Sequence, residues 1–293
     1  LANGYSKRFA LGALTSGGTL GIVIPPSIPL ILYGIVTENS IADLFLAGVI
    51  PGLMITLVLA VYSLLVNRNM PAQKLDLIAL KRSLREGIWA LMLPVIMLGG
   101  IYSGYFSATE AAAVALAYGI LVETFVYREI QLLDAYETAL ETARLLGMLF
   151  PIVAVALSLK TILTIENIPD QLALWITDIT SSRVTFLLAV NALLLLVGCL
   201  FDVVSAILVL APLLLIPAVA YGIDPIHFGI LMVINLEIGF LTPPMGLNLI
   251  VAMTAFKESF GTIVRSVLPF VFLIFSVLLI VTFVPWTALA LTG

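Results

Sequence analysis

A pattern that occurs twice constrains this chain more than anything else in it. Gly21-Ile22-Val23-Ile24-Pro25-Pro26 lies early and Gly239-Phe240-Leu241-Thr242-Pro243-Pro244 late, each inside an apolar stretch long enough to cross a bilayer. Neither proline of a pair can donate a backbone hydrogen bond, and each ring clashes with the preceding turn. A helix built through Gly-x-x-x-Pro-Pro therefore unwinds there. In lipid, the carbonyls freed by such a break are tolerated only where protein, a cavity or a bound ion satisfies them. Two broken membrane helices in corresponding parts of two halves point to a transporter's binding site.

The composition supports a membrane setting. The chain is 62% hydrophobic and 10% charged, with a mean hydropathy of +1.20, far from a soluble domain. The net charge of −4 is set by loops, and no basic patch for nucleic acid is present. Cys199 and His227 are the only residues of their kinds, which excludes a disulfide framework and most zinc or triad chemistry. His227 sits in an Asp-Pro-x-His turn and reads as a capping or packing residue. No cofactor and no enzymatic activity are expected. The sequence starts without Met and without the order of a signal peptide, so it reads as a fragment beginning in a loop.

Apolar runs of about 20 residues place spans near 9–35, which holds the first break, and near 44–66, 88–106, 109–127 and 144–165. A stretch near 226–255 holds the second break, and a last span lies near 267–289. The polar, basic segment 67–86 reads as a loop. Ser107 and Glu110 have capping-box spacing, which explains that acid without catalysis. Residues 168–179 alternate acids with Leu, Trp and Ile, as in an amphipathic helix lying in the interface.

Two apolar arms, near 184–200 and 203–221, are separated only by the step at 198–205. So short a turn at the far face would leave Asp202 in lipid, where a charge costs about 3 kcal/mol or more. A re-entrant hairpin with Asp202 and Ser205 at a tip near the midplane fits better. Placing 67–86 inside by its basic residues also puts Lys7, Arg8, Arg128, Arg144, Lys257 and Arg265 inside. Lys160 and Arg183 then lie near outer ends. The two broken helices run in opposite directions, as an inverted repeat requires.

The stretches 19–34 (TLGIVIPPSIPLILYG), 99–114 (GGIYSGYFSATEAAAV) and 222–249 (GIDPIHFGILMVINLEIGFLTPPMGLNL) resemble the DctM-like large membrane subunit of the tripartite ATP-independent periplasmic (TRAP) transporters. The likeness covers essentially the whole chain and the later two-thirds of a typical member. It implies an all-α polytopic membrane protein of the inverted-repeat, ion-transporter type, with a re-entrant hairpin and two broken transmembrane helices working as an elevator. It further implies sodium coupling, organic acids such as C4-dicarboxylates or sialic acids as cargo, and a place in the bacterial inner membrane. Its partners would be membrane lipid, a small four-helix membrane subunit and a periplasmic substrate-binding protein.

On this resemblance, residues 1–43 hold the first broken helix, 44–165 scaffold helices and 166–181 an interfacial arm. Residues 182–255 hold the second hairpin and second broken helix, and 256–293 a C-terminal scaffold helix. The first scaffold helices and first hairpin would precede Leu1, so the backbone near 21–27 is expected to lack its partner. One sodium site would pair the tip, Gly198, Asp202 and Ser205, with the break that carries Gly239, Thr242, Pro243, Pro244, Gly246 and Asn248. Asp202, Ser205 and Thr242 are its Na⁺ candidates, although Asp202 serves equally as a helix cap. The other site would draw on Ser16, Thr19, Gly21, Pro25, Pro26 and Ser27. Glu237, just before the second break, reads as a buried acid, structural or proton-linked. A competing reading is a paired-hairpin, ion-coupled anion transporter that needs no binding protein.

Overall fold

The structure is a computed structural model that describes residues 5–70, 76–168, 171 and 182–292. Among them every regular element is helical, and seven helical segments are long and apolar enough to cross a membrane. The chain is an all-α polytopic membrane protein. The expected arm at 166–181 falls almost wholly outside the described residues.

The chain divides into two compact units, one from Leu1–Met70 with Val155–Gly293 and one of Pro71–Ala154. In the first, α1 (Lys7–Gly17), a single turn α2 (Leu20–Val23) and α3 (Ile28–Thr37) form the first broken helix. α4 (Ile41–Val66) follows. After α7 (Leu132–Ile165), which runs from the second unit into the first, come the hairpin arms α8 (Arg183–Leu200) and α9 (Val203–Ala220). The second broken helix is α10 (Pro225–Phe240) and α11 (Leu247–Phe256), followed by α12 (Phe260–Phe283) and the short α13 (Trp286–Leu289).

Both Pro-Pro pairs interrupt their helices, and both carry a cis peptide bond. Single prolines do not: α4, α5, α7 and α12 run through Pro51, Pro94, Pro151 and Pro269, and α9 runs through both Pro212 and Pro217. A residue that precedes proline is driven out of the α region. In a Pro-Pro pair the first proline is itself such a residue, so two consecutive positions resist the helix. Ile24, ahead of the first pair, is extended at φ −73° and ψ 127°.

α10 is the core of the first unit. Every residue from His227 to Gly239 is buried, as befits a helix apolar on all sides. It packs most extensively on α8, and also on α9, α4, α12, α2 and α3. The Tyr33 hydroxyl of α3 donates to the Pro225 carbonyl at its start, at 2.7 Å. At one end of the unit Lys7 pairs with Glu258, and Arg8 Nη2 donates to the Arg265 carbonyl at 2.9 Å. Two basic segments expected on one side of the membrane thus lie together. The outer face of α4 shows Leu53, Leu57, Val61 and Leu64, apolar surface of the kind that lipid covers.

In the second unit, α5 (Leu77–Tyr102) packs on α6 (Ala108–Leu121), which continues as a π-helical segment Val122–Tyr127. Tyr118 donates to the Trp89 carbonyl and Tyr127 to the Glu86 carbonyl, at 2.8 and 2.9 Å. This register makes the two helices antiparallel. The expected capping box is present: the Ser107 amide donates to Glu110 Oε2 at 2.8 Å, and the Glu110 amide donates to Ser107 Oγ at 3.3 Å.

Three boundaries differ from the sequence reading. α5 begins at Leu77, inside the segment read as a loop, because Asp76 caps it through the amides of Ile78 and Ala79. α7 begins at Leu132 rather than near 144. α12 runs from Phe260, capped by Ser259, so the last span starts and ends earlier than expected. In each case the helix takes in polar or charged residues outside its long apolar run: Lys81, Arg82 and Arg85 in α5, Asp134, Glu137 and Glu141 in α7, and Thr262 and Arg265 in α12.

A hairpin tip docked on a broken helix

α8 and α9 are 18 residues each, joined only by Phe201 and Asp202. At about 1.5 Å per residue each arm is about 27 Å long, so length alone would let either cross a membrane. The tip is what sets this pair apart. α8 crosses α10 at two glycines, and a Cβ on Gly239 would lie 2.4 Å from the Gly198 carbonyl carbon. Only glycine at position 239 permits backbones this close, while at Gly198 a Cβ would be tight, at 3.1 Å from the Gly239 Cα. The approach brings the end of α8 onto the second break, where the Met245 amide donates to the Cys199 carbonyl at 3.2 Å.

The break itself is a compact polar turn. The Thr242 amide donates to the Gly239 carbonyl at 3.0 Å, and the Thr242 hydroxyl donates to the Ile238 carbonyl at 2.8 Å. With its proton committed, the Thr242 oxygen keeps lone pairs for another partner. Gly246 restarts the helix from a left-handed conformation, φ 50°, with no side-chain cap. Pro243, Pro244 and Met245 are exposed, while Thr242 and Asn248 are half-buried.

Across the tip, Asp202 caps α9. Its Oδ2 accepts from the Ser205 amide at 2.9 Å. The capping role weighed for this acid is therefore realised, and its second oxygen remains. Asp202 is exposed and Ser205 half-buried.

The first break is packed differently. Ser16, Thr19, Pro25 and Ser27 are buried, Gly21 and Pro26 exposed. Ser27 caps α3, accepting from the Leu30 amide and donating to the Ile22 carbonyl. Within the chain this backbone packs against α4. Gly48 and Gly52, one turn apart on α4, admit it so closely that a Cβ would lie 2.8 Å from the Val23 carbonyl oxygen or the Ile24 side chain. α10 packs on α2 from another side. Small residues one turn apart let membrane helices approach in this way, so α4 and α10 support this break within the chain itself.

The sequence reading missed a buried polar ladder beneath the tip. Asn235 Nδ2 donates to Asn191 Oδ1 at 2.6 Å, and Asn191 Nδ2 donates to Thr282 Oγ1 at 3.2 Å, linking α10, α8 and α12. His227 Nε2 donates to the Val281 carbonyl at 2.8 Å, which makes it a packing residue. Each of these is an isolated polar residue in an apolar helix, and that was the available signal. Among the described residues no group of three or more His, Cys, Asp or Glu is placed to hold a metal. A cation here would rest on hydroxyls, carbonyls and single carboxylates.

Two broken helices, and a hairpin whose tip docks on one of them, are the arrangement of a membrane transport protein. Comparison with known proteins makes this specific. The chain belongs to the DctM family, described as the DctM component of the tripartite ATP-independent periplasmic transporters, whose pattern it matches over residues 1–287. It is 43% identical over 292 residues to the C4-dicarboxylate TRAP transporter large permease protein DctM of Pseudomonas aeruginosa, covering 99% of this chain and 68% of that protein. It is 37% identical to the sialic acid TRAP transporter large permease protein SiaM of Vibrio cholerae, over 98% of this chain and 68% of that one. It is 38% identical to the isethionate TRAP transporter permease protein DctMQ of Oleidesulfovibrio alaskensis, over 96% of this chain and 45% of that one.

Proposed function

We propose that this chain is the greater part of the large permease subunit of a sodium-coupled TRAP transporter in a bacterial inner membrane. It imports an organic acid delivered by a periplasmic binding protein and works beside a small membrane subunit. The observation that carries this reading is the docking of the hairpin tip on the second break, through Gly198, Gly239 and the Met245–Cys199 hydrogen bond. The relatives' names support the substrate class: C4-dicarboxylate, sialic acid and isethionate are all organic acids.

The chemistry divides the junction in two. Helix N-termini attract anions, but the start of α9 is already capped by the Asp202 carboxylate. A second anion there would be repelled, and a cation would be welcomed. Asp202, Ser205 and the Thr242 oxygen form the sodium side. The start of α11 has no side-chain cap, and its free amides suit the carboxylate of the cargo. The hairpin and both broken helices then move together as an elevator between the two faces of the membrane.

Thr242→Ala in the whole permease tests this. A lost ligand raises the sodium concentration needed for half-maximal uptake by about tenfold, the effect of about 1.4 kcal/mol, while the substrate requirement changes little. Unchanged sodium dependence would remove Thr242 from the site, and uptake driven by protons alone would remove sodium coupling.

A further inference from the structure

In the second unit α6 packs on α5 with one face. Its other face looks across a cleft of about 670 Å³ toward the first half of α7. The walls are small side chains: Ala115 and Gly119 on α6, and Ala135, Ala139 and Ala143 on α7. Thr138 and Thr142 also line the cleft, but their hydroxyls donate to the Asp134 and Thr138 carbonyls at 2.9 and 2.8 Å, so they offer it no proton. Small residues on facing membrane helices ordinarily let the backbones close up. Here they border a gap, and a gap without partner atoms forfeits the contacts of its whole lining. The volume is that of a small-molecule pocket, about 300–1,000 Å³. It is well short of a membrane-crossing helix, about 10 Å across and 30 Å long.

One end of the cleft is charged. Glu123 and Thr124 line it there, within the π-helical segment Val122–Tyr127. Such π-turns are rare and gather at functional sites. Glu123 is half-buried, and the two ion pairs among the described residues, Lys7–Glu258 and Arg82–Glu86, leave it without a counter-ion. Arg128 follows the segment directly, exposed and equally unpaired, in a left-handed conformation at φ 58°. The depth is that of lipid headgroups. Glu123 lies one turn inside Tyr127, about 6 Å along the axis. Tyr127, bonded to the Glu86 carbonyl, and Trp89, one turn on from Glu86, are aromatic residues of the kind that mark the membrane–water boundary.

We propose that this cleft binds one ethanolamine phospholipid of the bilayer, with an acyl chain between α6 and α7, the ammonium on Glu123 and the phosphate on Arg128. An ammonium offers three donors to a carboxylate, and a guanidinium takes a phosphate through two parallel bonds. A zwitterionic headgroup therefore neutralises both unpaired charges at once. A purely anionic lipid would set its phosphate against Glu123 with nothing to balance that acid, beside two further acids at the same end, Glu129 and Asp134. The site lies apart from the hairpin junction, and it stands whether or not the chain moves an organic acid.

The test is native mass spectrometry of the delipidated whole permease, titrated separately with phosphatidylethanolamine, phosphatidylglycerol and phosphatidylcholine of the same acyl composition. The first molecule of phosphatidylethanolamine should bind about fivefold more tightly than either of the others, the effect of one ion pair. Glu123→Gln removes the ammonium's partner and should erase that preference while lipid still binds. Gly119→Leu places its Cβ where the nearest atom is Leu93 Cδ1 at 4.0 Å, so it fills the cleft without a clash at its root. It should weaken the first binding step for all three lipids while the melting temperature is kept. Equal affinity for the three lipids, or a preference that survives E123Q, overturns the site. A preference that disappears when the small membrane subunit is bound also overturns it, because the cleft would then belong to a protein helix.

Discussion

Replacing Gly239 by alanine would set a Cβ 2.4 Å from the Gly198 carbonyl carbon, 2.5 Å from its Cα and 2.8 Å from its oxygen. All three are backbone atoms, so no side chain can swing aside. To restore ordinary contact α8 and α10 must part by about 1 Å, and a gap of that size forfeits about a quarter to a half of each contact's attraction. Overpacking costs about 1–3 kcal/mol, and a clash with backbone belongs at the upper end. Alanine's better helix propensity offsets about 1 kcal/mol, leaving a net loss of about 2 kcal/mol. Two substitutions calibrate this. At Gly198 the nearest atoms lie at 3.1 and 3.2 Å, so Gly198→Ala needs a shift of a few tenths of an ångström and costs about 1 kcal/mol or less. Gly87, within α5, has nothing within 4 Å, so Gly87→Ala is neutral or gains up to about 1 kcal/mol. Thermal unfolding in detergent should rank G239A below G198A, and G198A below G87A. A G239A chain melting level with G87A would show that the two glycines do not cross as described.

Asp202→Ala removes the cap of α9 and should cost about 0.5–2 kcal/mol. Asp202→Asn keeps a capping oxygen, so it should restore the melting temperature but not the sodium dependence of uptake; recovery of both would reduce Asp202 to a cap. Asn235→Ala leaves Asn191 Oδ1 without its donor, a loss of about 0.6–1.7 kcal/mol for an interhelical hydrogen bond in a membrane protein. Adding Asn191→Ala should cost less than the sum of the two single changes, and strict additivity of melting shifts would deny the ladder.

What could be read from the sequence followed the chemistry of single residues. Pro25-Pro26 and Pro243-Pro244 announce their breaks because a proline pair cannot be helical whatever surrounds it. The arms of the hairpin were found to within a residue because Asp202 can sit nowhere else between two apolar runs. Helix starts at Leu77 and Phe260 escaped because hydropathy weighs Lys81, Arg82 and Arg265 as loop, although Asp76 and Ser259 were cap signals in plain view. The meeting of Gly198 with Gly239, and of α4 with the first break, depends on which distant segments touch. A glycine does not name its partner, so that part of the site became visible only in three dimensions.

The central claim is that the hairpin tip and the second break form one working junction, held by the Met245 amide and the Cys199 carbonyl 3.2 Å apart. Met245→Cys places a thiol beside the native Cys199 in the whole permease with its partner subunits. Mild oxidation should join the two, abolish sodium-driven uptake of the organic acid, and be reversed by a reductant. Thiols that never join at any sodium concentration, or a joined permease that transports at the full rate, would contradict the account.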